Sequence, residues 1–305
     1  MSTTVETDPM LQTGGEAPAV ILPDTRAIFA RRAERFAQLA KDHALGDYLG
    51  FMGALAQAQQ HALDALPPLP LPDAAALQQA LTHAMPPIPA QSWPRHAAWQ
   101  KALEQILQEL APKAPAAAAT SMATLAASDP AQREHLAERV LRTELYGEHA
   151  DWLPFVAAAL QVYWTRLAQG LSGVALQALD VAGVCPCCGG LPAVSVIGAS
   201  SELPGRRYLH CSLCNTEWHV TRAQCTACDA GESAVAYQHL EGDAGLVQAE
   251  TCEVCKVYLK VVRRDKEATL DPVADDLATI ALDLKVDEAG FARGGPNLLL
   301  VPGAG

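Results

Sequence analysis

Eight cysteines of this chain stand in four Cys-x-x-Cys pairs, and these are the residues best suited to chemistry. Two cysteines separated by two residues place their sulfur atoms on one tight turn, at the spacing that grips a single ion of tetrahedral preference. Two such turns that face each other complete a four-sulfur cage, so four pairs predict two metal sites. The pairs are Cys185/Cys188, Cys211/Cys214, Cys225/Cys228 and Cys252/Cys255.

The spacing between the pairs indicates which of them meet. The first two pairs are separated by 22 residues and the last two by 23, whereas only 10 residues lie between the second and third pairs. Each long gap contains strand-forming residues and turn formers, the pattern of a β-hairpin whose ends carry metal knuckles. The predicted strands and turns are 191–197 and 198–205 in the first gap, and 234–237, 241–245 and 246–248 in the second.

Two tandem four-cysteine sites follow from this spacing. The first consists of Cys185, Cys188, Cys211 and Cys214, and the second of Cys225, Cys228, Cys252 and Cys255. A crossed arrangement, in which the second and third pairs share an ion, remains an alternative. Gly189, Asn215 and Asp229 each follow a knuckle cysteine and tolerate the positive φ with which a chain folds back beneath a metal. Lys256 is less suited to that conformation but supplies positive charge. Disulfides are the weaker interpretation, because the polar, acidic start of the chain does not resemble a secretory signal.

The neighbouring candidate ligands are Cys187, His210 and His219. We interpret Cys187 as an inert thiol between two ligands, the alternative being a spare thiol for ligand exchange or redox chemistry. We interpret the two histidines as neighbours of the site or surface residues, because four thiolates are already available. Tetrahedral sulfur coordination suits zinc and mononuclear iron alike, so both metals remain open.

The cysteine-free first half of the chain predicts a helical domain. Half of the 305 residues are apolar, and alanine, a strong helix former, is abundant among them. Apolar residues recur at intervals of three and four between 24 and 66, with a break near Gly46 and Asp47 as the expected cap of the second helix. Further helices are predicted at 73–84, 93–110, 120–127, 129–144 and 149–171. The aromatic residues of the last helix are interpreted as a core seam rather than a docking patch.

Charge and motifs argue against nucleic-acid binding and catalysis. The chain has 22 basic and 34 acidic residues, a net charge of −12, which repels phosphate. The basic residues near the cysteine pairs are interpreted as a solvated face that balances the charge of anionic metal centres. They are Arg206, Arg207, Arg222, Lys260, Arg263 and Arg264. Nucleotide-binding, nucleophile-elbow and zinc-protease motifs are absent from the sequence. Asp275 and Asp276 are interpreted as a helix cap. No apolar run reaches the roughly 20 residues that span a bilayer.

The run from Arg207 to Cys228, RYLHCSLCNTEWHVTRAQCTAC, and the opening knuckle CPCCG at 185–189 resemble the cysteine region of the FdhE family. Less specific likeness lies in 31–40, 47–49, 274–284 and 294–297. That family comprises accessory proteins needed to form active formate dehydrogenase. The resemblance implies a cytoplasmic maturation factor whose rubredoxin-like ribbons bind iron and which contacts the formate dehydrogenase catalytic subunit before export. All eight paired cysteines match family positions.

These observations predict an α+β protein that is not an enzyme. The expected domains are a disordered tail at 1–18, a helical domain at 19–180, rubredoxin-like ribbons at 181–222 and 223–265, and a closing helix and tail at 266–305. The expected function is binding of the immature catalytic subunit of formate dehydrogenase, with two metal ions, iron or zinc, in tetrathiolate sites. The alternatives are a zinc-ribbon nucleic-acid-binding protein and a thiol or iron redox protein.

Overall fold

The computed structural model describes residues 18–198, 205–240 and 244–300, in which a helical domain packs against one mixed sheet. In chain order the elements are β1 (Val20–Ile21), α1 (Ile28–Leu39), α2 (Gly46–Ala65), α3 (Ala74–Thr82), α4 (Ala98–Leu110), α5 (Ala116–Ala127), α6 (Pro130–Leu141), α7 (Leu153–Gly170), β2 (Pro192–Ile197), β3 (Arg207–Cys211), β4 (Glu217–Val220), β5 (Val235–Gln238), β6 (Val247–Cys252), β7 (Val257–Arg263), α8 (Ala274–Ala278), α9 (Ile280–Glu288) and β8 (Ala292–Arg293). The predicted α+β class is confirmed.

The helical domain, α1–α7, forms where apolar periodicity and capping residues predict it. Asp73 and Asp129 cap α3 and α6, their carboxylates accepting backbone N–H bonds from Ala76 and Gln132, both at 2.8 Å. The cap predicted at Asp47 is wrong. A helix capped by Asp47 would begin at residue 48, whereas α2 begins at Gly46 and no side chain caps it.

Helix α7 is the centre of the helical core and packs against α2, α4 and α6. Most of its residues are buried, because neighbouring helices cover it on several sides. The aromatic seam is confirmed as core: Trp152, Phe155, Tyr163 and Trp164 are all at most 5% exposed. These rings are therefore not available as a docking patch on the surface.

The two ribbons, β2–β4 and β5–β7, belong to one sheet with the strand order β1-β4-β3-β2-β7-β6-β5. Each ribbon is antiparallel, and the junction between them is a parallel pairing of β2 with β7, in which Ser195 faces Val261. Strand β8 pairs in parallel with the start of β7. The tandem copies are thus joined through backbone hydrogen bonds and not only through their linker.

Two ribbon cations predicted to be solvated are buried, so that interpretation is wrong for them. Arg207 is 1% exposed and its guanidinium lies 2.6 Å from Glu250 of the other ribbon. Lys260 is also 1% exposed and lies 3.1 Å from Asp276. Because an unpaired buried charge is costly, both cations are matched by carboxylates.

The closing helix also differs from its prediction. It is interrupted at Thr279, whose hydroxyl donates to the carbonyl of Asp275 at 2.8 Å. The carboxylate of Asp271 accepts from the backbone N–H groups of Val273 and Ala274 at the start of α8, and the carboxylate of Asp275 accepts from the backbone N–H of Asp271. Asp276 pairs instead with Lys260 and Arg293. The expected cap at Asp275 and Asp276 is therefore wrong, since among the described residues neither carboxylate accepts from an N–H group of α8.

Three predicted segments lie partly or mostly outside the described residues. Residues 1–17 of the expected tail lie outside them, whereas the carbonyl of Pro18 accepts a 3.0 Å hydrogen bond from Tyr208. Most of the turn at 198–205 and residues 241–243 of the second turn also lie outside the described residues. Among the helices of the described residues, none combines the length and the hydropathy that a membrane span requires.

Candidate metal centres

The eight paired cysteines converge in the two groups that the spacing predicts, and not in the crossed arrangement. Within each group the four Sγ atoms all lie within 4.8 Å of one another. The Sγ–Sγ distance is 3.5 Å between Cys188 and Cys211 and 3.6 Å between Cys185 and Cys214. In the second group it is 3.7 Å both between Cys225 and Cys255 and between Cys228 and Cys252. Four sulfurs bound at about 2.3 Å to a tetrahedral ion would lie about 3.8 Å apart, so both donor sets fit such an ion.

The backbone of the four knuckles has the conformation expected beneath a metal. The residue after each second cysteine has positive φ: Gly189 (73°), Asn215 (58°), Asp229 (58°) and Lys256 (57°). Lys256 adopts it although lysine rarely does. This fold brings backbone N–H groups to the sulfurs, as at Cys211 Sγ, which accepts from Leu213 and Cys214 at 3.4 Å. Such bonds offset the negative charge of thiolates.

The helical domain covers the first group with the segment 86–90, which we call the strap. The backbone N–H of Ile88 donates to the carbonyl of Cys187 at 3.2 Å, and that of Ala90 donates to the carbonyl of Cys188 at 2.8 Å. Sequence reasoning predicted only a connector here, because its prolines exclude a helix. Those same prolines favour an extended chain, which is the signal that could have indicated a covering segment.

Asn215, on the other side of the first group, forms side-chain hydrogen bonds to the helical domain. Its side-chain oxygen accepts from Arg32 of α1 at 2.9 Å, and its side-chain amide donates to the hydroxyl of Thr165 of α7 at 2.8 Å. Gln161, also on α7, donates to the carbonyl of Ser212 at 2.8 Å. The sequence identified Asn215 only by its tolerance of positive φ, and these partners lie too far away in sequence to have been predicted.

The histidines and Cys187 lie outside the two sulfur groups. His210 is bonded to Asn215 at 3.2 Å and to Glu217 at 3.1 Å, and His219 packs edge-on against the ring of Tyr208. Cys187 is fully buried, and its contact with Cys214, together with burial, raises the pKa of its thiol. A protonated, enclosed thiol is a poor nucleophile, which favours the inert interpretation.

Thiol pKa values within the second group are spread apart. Burial raises the pKa of Cys225 to about 12. For Cys252 burial acts in the same direction, but backbone N–H groups of Cys255 and Val254 outweigh it and lower the pKa to about 7. Because burial raises the pKa of Cys225, binding of a thiophilic cation to this donor set releases at least the Cys225 proton.

Family models of FdhE match almost the whole chain: the N-terminal model at residues 17–180, the central domain at 184–222 and the C-terminal domain at 223–300. A protein FdhE homolog of Edwardsiella ictaluri is 40% identical over 292 residues, covering 95% of this chain and 93% of the relative. A homolog from Haemophilus influenzae strain PittEE is 36% identical, covering 94% of this chain and 93% of the relative. The crystal structure of the FdhE protein from Pseudomonas aeruginosa has a TM-score of 0.84 and 37% identity, covering 94% of this chain and all of that one.

Proposed function

This chain belongs to the FdhE family, and we propose that it is an accessory factor in the formation of active formate dehydrogenase. In this proposal it acts in the cytoplasm on the immature catalytic subunit. The eight grouped cysteines bind two ions, iron as the family resemblance implies or zinc as the donor chemistry equally permits. In this proposal the folded surface recognises the partner, and the two bound ions keep the ribbons rigid.

The observation that carries the proposal is the closure of both sulfur groups. Each has four thiol ligands for one ion, which fills a tetrahedral coordination shell. Catalysis by a bound metal needs an open position for water or substrate, and these donor sets leave none. Binding of a partner, with the ions as structural elements, is the function that such groups support.

The ties between the first group and the helices support recognition by one continuous surface. The strap bonds to the backbone of the first ribbon, and Asn215 connects that ribbon to α1 and α7. The ion pair of Arg207 and Glu250 connects the second ribbon to the first. A partner that touches helices and ribbons together would therefore meet a preformed surface, which lowers the entropic cost of binding.

The test is complementation of a native host that lacks this protein, with formate dehydrogenase activity and co-purification of its catalytic subunit as readouts. Wild type should restore both. The paired substitution Cys188→Ser/Cys211→Ser should restore neither, whereas Cys187→Ser, outside both sulfur groups, should behave like wild type. Full formate dehydrogenase activity in the host without this protein would overturn the accessory role. Restored activity without capture of the catalytic subunit would overturn direct binding.

A further inference from the structure

The two sulfur groups differ in how far solvent reaches them. All four cysteines of the first group have no exposed surface. In the second group Cys228 is exposed and Cys255 is partly exposed, although Cys225 and Cys252 remain buried. Because an incoming ligand must touch the ion or its sulfurs, this contrast bears directly on metal exchange.

The same knuckle position has opposite surroundings in the two groups. Asn215 of the first group is 3% exposed and is bonded to Arg32 and Thr165 of the helical domain. Asp229, its counterpart in the second group, has the same φ of 58° but is exposed. Across the described residues, no hydrogen bond from α1–α7 reaches the second group's knuckles at 225–229 and 252–256.

An open groove of about 260 Å³ adjoins the second group. Its lining includes the two buried ligands Cys225 and Cys252, together with the apolar side chains of Val181, Leu191 and Val257. The second group is therefore approached from two sides, through exposed Cys228 and through the groove. The first group has the strap on one side and α7 on the other.

We propose that metal enters and leaves the folded protein at the second group, while the ion of the first group stays until the helical domain separates from the sheet. The cation class is a thiophilic divalent ion of tetrahedral preference. Exchange proceeds as a donor atom of an incoming chelator bonds to the ion, one metal–sulfur bond breaks, and the freed thiolate takes a proton from solvent. Release from the first group instead needs local unfolding, which is slow in a well-packed region. The inference rests on the proposed binding of two ions.

The test uses the full chain loaded anaerobically with zinc and mixed with excess 4-(2-pyridylazo)resorcinol, a chelator that changes colour on binding zinc. We expect one ion per chain to leave in a fast phase and one in a phase at least tenfold slower. Denaturant added before the slow phase is complete should bring the amount of released zinc at once to two ions per chain. A total below two would refute the metal-binding proposal as well, whereas two ions leaving at one rate would overturn only the exchange proposal.

Assignment of the phases comes from N-ethylmaleimide added together with the chelator and located by peptide mass spectrometry. During the fast phase the label should appear on Cys225, Cys228, Cys252 and Cys255, without any substitution that risks misfolding. Asn215→Gly should accelerate the slow phase at least fivefold, and the matched Asp229→Gly should leave the slow phase unchanged. Early labelling of the first group's cysteines, or acceleration of the fast phase alone by Asn215→Gly, would contradict the proposal.

Discussion

The side-chain oxygen of Asn215 accepts a hydrogen bond from the guanidinium of Arg32, 183 residues earlier in the chain, at 2.9 Å. Asn215 directly follows the last cysteine of the first group, so this bond connects a metal knuckle to the first helix. Both side chains are buried, so a group that lost this bond would not be exposed to bulk solvent. The knuckle and the helical domain therefore depend on each other for stability.

Replacing Asn215 with glycine should destabilise the protein by about 2–6 kcal/mol, since at least two buried partners lose a hydrogen bond at about 1–3 kcal/mol each. Glycine keeps the positive φ of the knuckle, so the loss comes from the side-chain bonds to Arg32, Thr165 and His210. Asp229→Gly is the matched control, because it changes an exposed residue with the same φ and should cost less than about 0.5 kcal/mol. Urea unfolding of both variants measures the difference. Equal losses would show that Asn215 acts only through its backbone.

The buried pair Arg207 and Glu250 predicts a strong coupling between the ribbons. Arg207→Met leaves the buried carboxylate of Glu250 with the hydroxyl of Tyr237 as its one side-chain partner among the described residues, which should cost about 3–5 kcal/mol. The double substitution Arg207→Met/Glu250→Met should cost clearly less than the sum of the single ones, since it removes both charges. Arg263→Met, which breaks a partly exposed pair with Asp265, should cost no more than about 1 kcal/mol. Additive losses in the double-mutant cycle would rule out this coupling.

Asp271 allows a prediction about pH. Burial alone would raise the pKa of this carboxyl, but Arg32 and the backbone N–H of Ala274 outweigh it, and the pKa lies below the ordinary 3.8. A depressed carboxyl pKa contributes stability that is complete above the unfolded value and is lost only as pH falls through the folded one. Asp271→Asn should therefore lower the free energy of unfolding by about 3 kcal/mol, because a buried ion pair is broken. The loss should be the same at pH 8, 6.5 and 5.

Urea unfolding of wild type and Asp271→Asn at these three pH values measures that gap. Any change in metal affinity with pH acts on both proteins and cancels in the difference. A gap that closes between pH 8 and pH 5 would mean that the carboxyl takes up a proton in the folded state near neutral pH, contrary to its pairing with Arg32.

Gly295 is required where the closing segment crosses the first ribbon. A Cβ atom there would lie 1.8 Å from the carbonyl oxygen of Pro192, and backbone atoms cannot swing aside as a side chain can. Gly295→Ala should therefore destabilise the protein by about 3 kcal/mol or more, which is the upper end of the usual range for an overpacked site. Gly50→Ala is the control: a Cβ meets nothing within 4 Å there, and alanine in this helix should stabilise by about 0.5–1 kcal/mol. A thermal melt of each variant suffices, and unchanged stability of Gly295→Ala would contradict the packing.

The features that depend on nearby residues could be predicted from the sequence. The knuckle turns depend on two cysteines and the next residue, and the helices on apolar spacing and caps such as Asp129. The grouping of the cysteines also follows from spacing alone, because a hairpin brings its own two ends together. Asp47 shows the limit of this reasoning, since it lies inside the first turn of α2 and does not precede the helix.

The features that depend on distant residues could not be predicted. Arg207 and Lys260 look like solvated cations in the sequence, because their carboxylate partners lie 43 and 16 positions away. The prolines of the strap indicate an extended chain, but its contacts with the carbonyls of Cys187 and Cys188 could not be predicted from its own residues. Pairings of this kind are set by topology, which no local pattern encodes.

The central claim is that eight sulfurs close around two ions. X-ray absorption at the metal edge of the protein purified anaerobically from its native host, quantified per chain, tests it most directly. The account predicts two ions per chain, each with four sulfur neighbours at about 2.3 Å and no lighter ligand in the first coordination sphere. A nitrogen or oxygen neighbour, fewer than four sulfurs, or a single ion per chain would contradict it.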